Sequence, residues 1–66
     1  MVRYLRDIKT GKWIAPDGTL TMHLGEAMKV ESFVHALEFA EKHRLTGVLM
    51  VLNFGDDKFD STIAVN

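Results

Sequence analysis

Residues 48–52 constrain the fold more than any other part of this sequence. They are five consecutive apolar residues, so both faces of an extended strand are apolar over this span. A strand of this kind is typical of the centre of a sheet that is covered on both faces. The rest of the chain offers one good helix, which can cover a single face. The sequence therefore predicts a central strand that needs a second covering element.

The chain is so short that it has few residues available to cover the second face of this strand. Its 66 residues make a single domain, 1–66, and a domain of this size buries only about 60% of the surface that its unfolded chain exposes. Small domains usually gain stability from disulfides, a metal ion or a partner. The sequence has no cysteine, which excludes disulfides and cysteine-ligated zinc. A partner subunit remains, so self-association is expected.

Charge and hydropathy exclude several classes of protein. The formal net charge is −1, which argues against a domain that binds polyanions through bulk charge. Residues 1–7 lack the apolar core of a signal peptide, and no apolar run approaches the roughly 20 residues that cross a bilayer. We expect a cytoplasmic protein with no membrane partner.

The N-terminal segment, residues 2–15, is predicted to form a β-hairpin. Ile8 and Trp13 favour strands, and Thr10 followed by Gly11 is a turn sequence. A two-residue loop would place Ile8 opposite Trp13 as an apolar pair.

A second turn is predicted at Pro16, Asp17 and Gly18, because each of these residue types favours turn geometry for its own reason. Residues 19–24 alternate with period two, which predicts a short third strand. Residues 25–28 equally favour a single helical turn. Both alternatives stay open for the segment 20–30.

The helix that follows is predicted to begin after Ser32, a favourable N-cap residue, and to end before Gly47. Helical periodicity places its apolar side chains on one broad face. That predicted face holds Phe33, Ala36, Leu37 and Ala40, with Phe39 and His43 at its edge.

The last hairpin is predicted to turn within residues 54–59 and to return as a strand over residues 58–65. If Phe54 lies opposite Phe59, the register assigns every side chain to a face. One face is continuous and apolar, and the helix is expected to lie on it. The other face is apolar only at one end. The predicted fold is α+β, a small antiparallel sheet with one helix packed on one face, in the order β-β-(β)-α-β-β.

The apolar end of the second face is the expected footprint of a partner. We expect a small protein-interaction module that contacts another protein, most simply itself as a homodimer. The candidate contact residues are Leu49, Val51 and Ala64, with Leu5 and Ile14 from the first hairpin.

Basic residues near the N-terminus suggest an alternative function. They recur at three-residue spacing among aromatic residues, a mixture that can grip phosphates and stack on bases. Strand geometry points Arg3 and Arg6 to opposite faces, which weakens this hypothesis. The candidate nucleic-acid contacts are Arg3, Arg6, Lys9 and Lys12.

No catalytic, cofactor-binding or metal-binding residues are predicted. His35 and His43 are separated by about 12 Å along the helix axis, so they cannot bind one metal ion together. Asp56, Asp57 and Asp60 lack the alternation and the distal glutamate of a calcium loop. No nucleophile signature is present, so the chain is not expected to be an enzyme.

Overall fold

The computed structural model describes residues 1–53 and 59–66, with side chains described for 1–53 and 61–66. Six strands and one α-helix form within these ranges. The predicted hairpin loop, residues 54–59, lies outside them except for Phe59. In chain order the elements are β1 (Val2–Asp7), β2 (Trp13–Ile14), β3 (Leu20–Thr21), β4 (Lys29–Val30), α1 (Phe33–Lys42), β5 (Val48–Asn53) and β6 (Phe59–Ala64).

The strands form one antiparallel sheet in the order β3-β2-β1-β5-β6, with β4 also paired to β1. Because β5 lies between β1 and β6, the predicted central strand is confirmed, and so is the α+β class. On its other edge β1 pairs with β4 through Arg3 and Tyr4 and with β2 through Arg6. The strands β4 and β5 therefore flank β1 and run parallel to each other, and α1 crosses over β1 to connect them.

The segment 20–30 realises both alternatives that the sequence left open. Leu20–Thr21 is a short strand and Leu24–Glu26 is a 3-10 turn. Lys29–Val30 adds the strand β4, which the sequence did not predict. Two residues are too few to show a period, so only their pairing with β1 makes them a strand.

The first hairpin differs from the prediction in its turn. Arg6, not Ile8, lies opposite Trp13, so the predicted two-residue loop is wrong. The Asp7 carboxylate accepts hydrogen bonds from the Thr10 N–H at 3.0 Å and from the Thr10 hydroxyl at 2.7 Å. These local bonds stabilise a longer loop in place of the tight turn. The pairing moves by two positions, so Trp13 keeps its face of the sheet but has a different neighbour.

The second turn is confirmed. The Gly18 N–H donates to the Ala15 carbonyl at 2.9 Å, and the Ala15 N–H donates to the Thr19 carbonyl at 2.7 Å. The Asp17 carboxylate accepts from the Thr19 hydroxyl and the Thr19 N–H. Those bonds, the hydroxyl first, hold the pKa of Asp17 below its ordinary value of 3.8. Gly18 has φ of 88°, a conformation that glycine adopts without strain.

The helix begins as predicted, because the Ser32 hydroxyl accepts the His35 N–H at 3.1 Å. It ends in a Schellman motif: the Leu45 N–H donates to the Ala40 carbonyl at 2.8 Å, and the Arg44 N–H donates to the Glu41 carbonyl at 3.1 Å. In this motif the residue after the C-cap adopts a left-handed conformation. Arg44 does so, with φ of 53°, at a position where glycine is the usual residue.

The core lies between α1 and the sheet. Ala36 and Ala40 are buried as predicted, and Phe39, which was predicted at the edge, is buried with them. Phe33 is exposed, so the buried face of α1 is centred on Ala36, Phe39 and Ala40 rather than on the predicted set. The core cluster consists of Leu5, Ile14, Val30, Ala36, Phe39, Ala40, Val48, Met50 and Val65.

The predicted register of the last hairpin is confirmed over four pairs. These are Leu49 with Ala64, Met50 with Ile63, Val51 with Thr62 and Leu52 with Ser61. The register then shifts by one residue, so that Asn53 pairs with Phe59. Phe54 lies outside the described residues. The shift marks a β-bulge at the end of β5, where the regular pairing ends.

The second face of the sheet is covered in part by the chain itself. Val51 has no exposed surface, although α1 lies on the other face. Tyr4 stands directly opposite Val51 and Arg6 opposite Leu49, and opposed residues share a face. The rings of Tyr4 and Trp13 are 5.7 Å apart, and the Arg6 guanidinium lies 5.3 Å from the Trp13 ring centre. These large side chains lie where a second subunit was predicted, so no partner is needed to shelter Val51.

Candidate interaction site

Three of the five residues predicted to contact a partner are buried within the chain. Leu5 and Ile14 lie in the core between α1 and the sheet, and Val51 is closed off on the opposite face. Leu49 is partly exposed and Ala64 is exposed. The prediction is therefore corrected for Leu5, Ile14 and Val51, because side chains of the same chain already fill the space around them. Leu49 and Ala64 remain: Ala64 is the final residue of the last strand, and Leu49 pairs with it from β5.

That last strand, β6, forms an edge of the sheet. Its inner edge pairs with β5 over most of its length, and within residues 1–53 and 59–66 no strand pairs with its outer edge. The Val65 N–H donates to the Val48 carbonyl at 2.8 Å. Hydrogen-bonding direction alternates along an antiparallel strand, so residues 61, 63 and 65 bond inwards. The N–H and C=O groups of Thr62 and Ala64 therefore point outwards.

Over residues 61–66 the outer edge of β6 lacks the devices that usually discourage pairing with another chain; the charged residue of the strand, Asp60, precedes this stretch. Charged residues, prolines and very short strands protect natural sheet edges, but residues 61–66 contain neither charge nor proline. Side chains 61–64 are all exposed, and Ile63 exposes 41% of its surface although it is apolar. The edges at β3 and β4, in contrast, are two residues long.

The end of β6 is held in place by the residue that follows it. The Asn66 side chain accepts the Val48 N–H at 3.1 Å and donates to the Leu45 carbonyl at 2.8 Å. Together with the Val65 N–H bond to Val48, these contacts tie the strand end to the start of β5. These contacts favour the extended conformation at the end of β6, which lowers the conformational entropy lost when a partner strand pairs with this edge.

The four basic residues of the first hairpin do not form one surface. Arg3 lies towards α1, where its guanidinium donates to the Glu31 carbonyl at 3.0 Å. Arg6 lies on the opposite face, where its Nε donates to the Gly11 carbonyl at 2.9 Å. Lys9 and Lys12 are exposed at the turn. The separation of Arg3 from Arg6 follows from the strand alternation that the sequence already indicated.

The structure adds Lys29 to the face that carries Arg6. It stands opposite Tyr4 in the β4–β1 pair, so the Tyr4–Trp13 pair has one cation next to each ring. No local pattern in the sequence marks Lys29, because the strand that holds it is only two residues long. These two residues are recognisable as a strand only from their hydrogen-bonded pairing with β1.

Two open grooves flank the Pro16 turn. One, of about 450 Å³, runs past Asp17 towards Glu26, and the other, of about 310 Å³, lies between Pro16 and α1 and includes His35 and His43. In the described part of the chain, no group of three or more His, Asp or Glu side chains could hold a metal ion. No described helix has the length and apolar character needed to cross a bilayer.

Comparisons with protein-family models, with curated proteins and with solved structures found no match for this chain.

Proposed function

We propose that this chain is a cytoplasmic protein-interaction module that associates with itself through the free edge of β6. The observation that carries the proposal is an edge strand with outward backbone groups at Thr62 and Ala64 and no charge over residues 61–66. Such an edge offers hydrogen bonds to any extended strand, and addition of a strand to a sheet is a common mode of protein recognition. We assign no catalytic step to the module.

The composition of the neighbouring surface supports the same assignment. Ile63 is exposed on the α1 side of the edge, and Ala64 is exposed on the other side, next to the partly exposed Leu49. A strand paired with β6 would cover apolar side chains on both faces at once. For a domain of 66 residues this added burial is a large gain relative to the core that one chain can form.

A charge placed on this edge tests the proposal. Ile63→Lys should leave the monomer folded, because residue 63 is exposed, and should weaken self-association at least about tenfold, or about 1.4 kcal/mol. The physical reason is that a lysine at a sheet edge opposes strand pairing. The measurement is sedimentation equilibrium from low micromolar to millimolar protein, starting from the mass of one chain, 7.5 kDa.

The matched control is Val34→Lys, which adds the same charge to an exposed apolar position on α1. It should dimerise as the unmodified chain does. If the unmodified chain stays monomeric at millimolar concentration, the proposal is wrong. If both lysine variants weaken association equally, net charge and not the β6 edge controls it.

A second candidate function is binding of single-stranded nucleic acid on the face opposite α1. It is favoured by the Arg6 guanidinium over the Trp13 ring, with Tyr4 adjacent and Lys29 opposite Tyr4. Aromatic rings and cations in this arrangement can stack on bases and neutralise phosphates.

Oligonucleotide binding at several salt concentrations tests this candidate. Arg6→Ala should weaken binding to labelled mixed-sequence oligonucleotides and lower the salt slope by about 1, since one phosphate contact is lost. Arg3→Ala is the control, because Arg3 lies on the other face and should have little effect. No binding at low salt would dismiss the candidate.

A further inference from the structure

We infer that the partner of β6 is β6 of a second copy, paired antiparallel about a two-fold axis that passes beside Ile63. The inference rests on the proposed function and specifies its geometry. Two copies joined in this way share one continuous sheet, with both helices on the same face of that sheet. A two-fold contact of this kind uses the same surface on each subunit and closes at the dimer.

The outward backbone groups define this register. With the axis at Ile63, Thr62 of each copy lies opposite Ala64 of the other. Both residues point outwards, so each of the two pairs exchanges two hydrogen bonds and the edge forms four. The pairing uses every outward group between the bulge near Asn53 and the end of β6.

The neighbouring registers place some of the intersubunit hydrogen bonds outside the regular part of β6. An axis at Thr62 places Ala64 opposite residue 60 of the other copy, which lies at the bulge where the β5–β6 register shifts. An axis at Ala64 places Thr62 opposite Asn66, which lies beyond β6 and whose side chain is bound to Val48 and Leu45. The axis at Ile63 therefore keeps the hydrogen bonds within the regular part of the strand.

Side chains fit the same register. On the α1 side, Ile63 faces Ile63 of the other copy at a non-hydrogen-bonded position, where Cα atoms lie about 4.5 Å apart. Each isoleucine would cover the exposed surface of the other. On the opposite side Thr62 faces Ala64, a small and uncharged pair. Residues 61–66 bring no like charges together, so nothing in this segment opposes the contact.

Single-cysteine variants test the register, because the chain has no cysteine of its own. Ile63→Cys, Thr62→Cys and Ala64→Cys are equilibrated separately in a glutathione redox buffer, and the disulfide-linked dimer is quantified by non-reducing electrophoresis. Ile63→Cys should form the disulfide at least about tenfold more favourably than the other two. Thr62 and Ala64 each meet their own counterpart only diagonally, at about 7–8 Å, which exceeds the span of a disulfide.

The mass of each variant under reducing conditions is measured in parallel, so that failures can be told apart. A dimer that cross-links best through Thr62→Cys or Ala64→Cys overturns the Ile63 axis but leaves the proposed function intact. A dimer that cross-links through none of the three overturns pairing at the β6 edge. A monomer at every concentration overturns both the register and the proposed function.

Discussion

Replacing Leu5 with alanine is expected to remove much of the stability of this domain. Leu5, in β1, has no exposed surface and belongs to the core cluster between the sheet and α1. Truncation of a buried leucine to alanine costs about 2–5 kcal/mol through lost burial and the cavity left behind. A domain of this length has only about 3–10 kcal/mol in total. We expect urea denaturation to show a loss of at least about 2 kcal/mol and the melting temperature to fall by about 10 °C or more.

Leu20→Ala is the matched control, because Leu20 undergoes the same chemical change in β3 with 43% of its surface exposed. Its cost should stay below about 1 kcal/mol. The loss at Leu5 should be the same at every protein concentration, since the interaction lies within one chain. If the loss of stability appears only at concentrations where the chain dimerises, Leu5 lies in the dimer interface, as the sequence suggested. That result would contradict its place in the core.

Gly18→Ala is expected to be the second strongly destabilising change. At φ of 88° an L-residue is strained by about 1–2 kcal/mol. A Cβ at this position would also lie 2.7 Å from Nδ1 and 3.1 Å from Cγ of His43, so the histidine ring must move. Overpacking of this kind adds about 1–3 kcal/mol. Chemical denaturation should therefore show a total loss of about 2–5 kcal/mol.

Two further substitutions separate the backbone strain at Gly18 from the steric clash with His43. Gly47→Ala has a similar backbone requirement, with φ of 67°, but its Cβ would only touch Ile8 at 3.8 Å, so it should cost about 1–2 kcal/mol. In a His43→Ala background Gly18→Ala should cost no more than Gly47→Ala, because the colliding ring is absent. An unchanged cost in that background would show that His43 does not pack against Gly18.

Local signals in the sequence predicted much of the fold. Ser32 as a helix cap, the turn at Pro16 and the register of β5 with β6 all depend on residues close together in the chain, and all were found. The predicted turn of the first hairpin was wrong, and the reason is equally local. Its turn depends on hydrogen bonds between the Asp7 carboxylate and Thr10. The strand propensities of Ile8 and Trp13 contain no information about such side-chain hydrogen bonds, so they predicted the wrong turn.

The partner contacts stay a prediction, because burial tells only which residues are accessible. Of the five residues named for them, Leu5, Ile14 and Val51 are buried, and Ala64 is exposed. An apolar residue that fills the core and one that awaits a partner have the same sequence pattern. Hydrophobic periodicity reports on the faces of a sheet and carries no information about which strand forms its edge.

The sequence by itself determined that residues 48–52 form a central strand, that one helix covers one face, and that the last two strands pair in a particular register. Tertiary structure decided the rest: β4 is a strand only because it pairs with β1, and the face that carries the buried Val51 also carries Tyr4, Arg6 and Trp13, which two strand pairs bring together. The physical reason is the range of the interactions. Periodicity and capping act within a few residues, whereas the cover over a sheet face and the identity of its free edge depend on contacts between segments far apart in the chain.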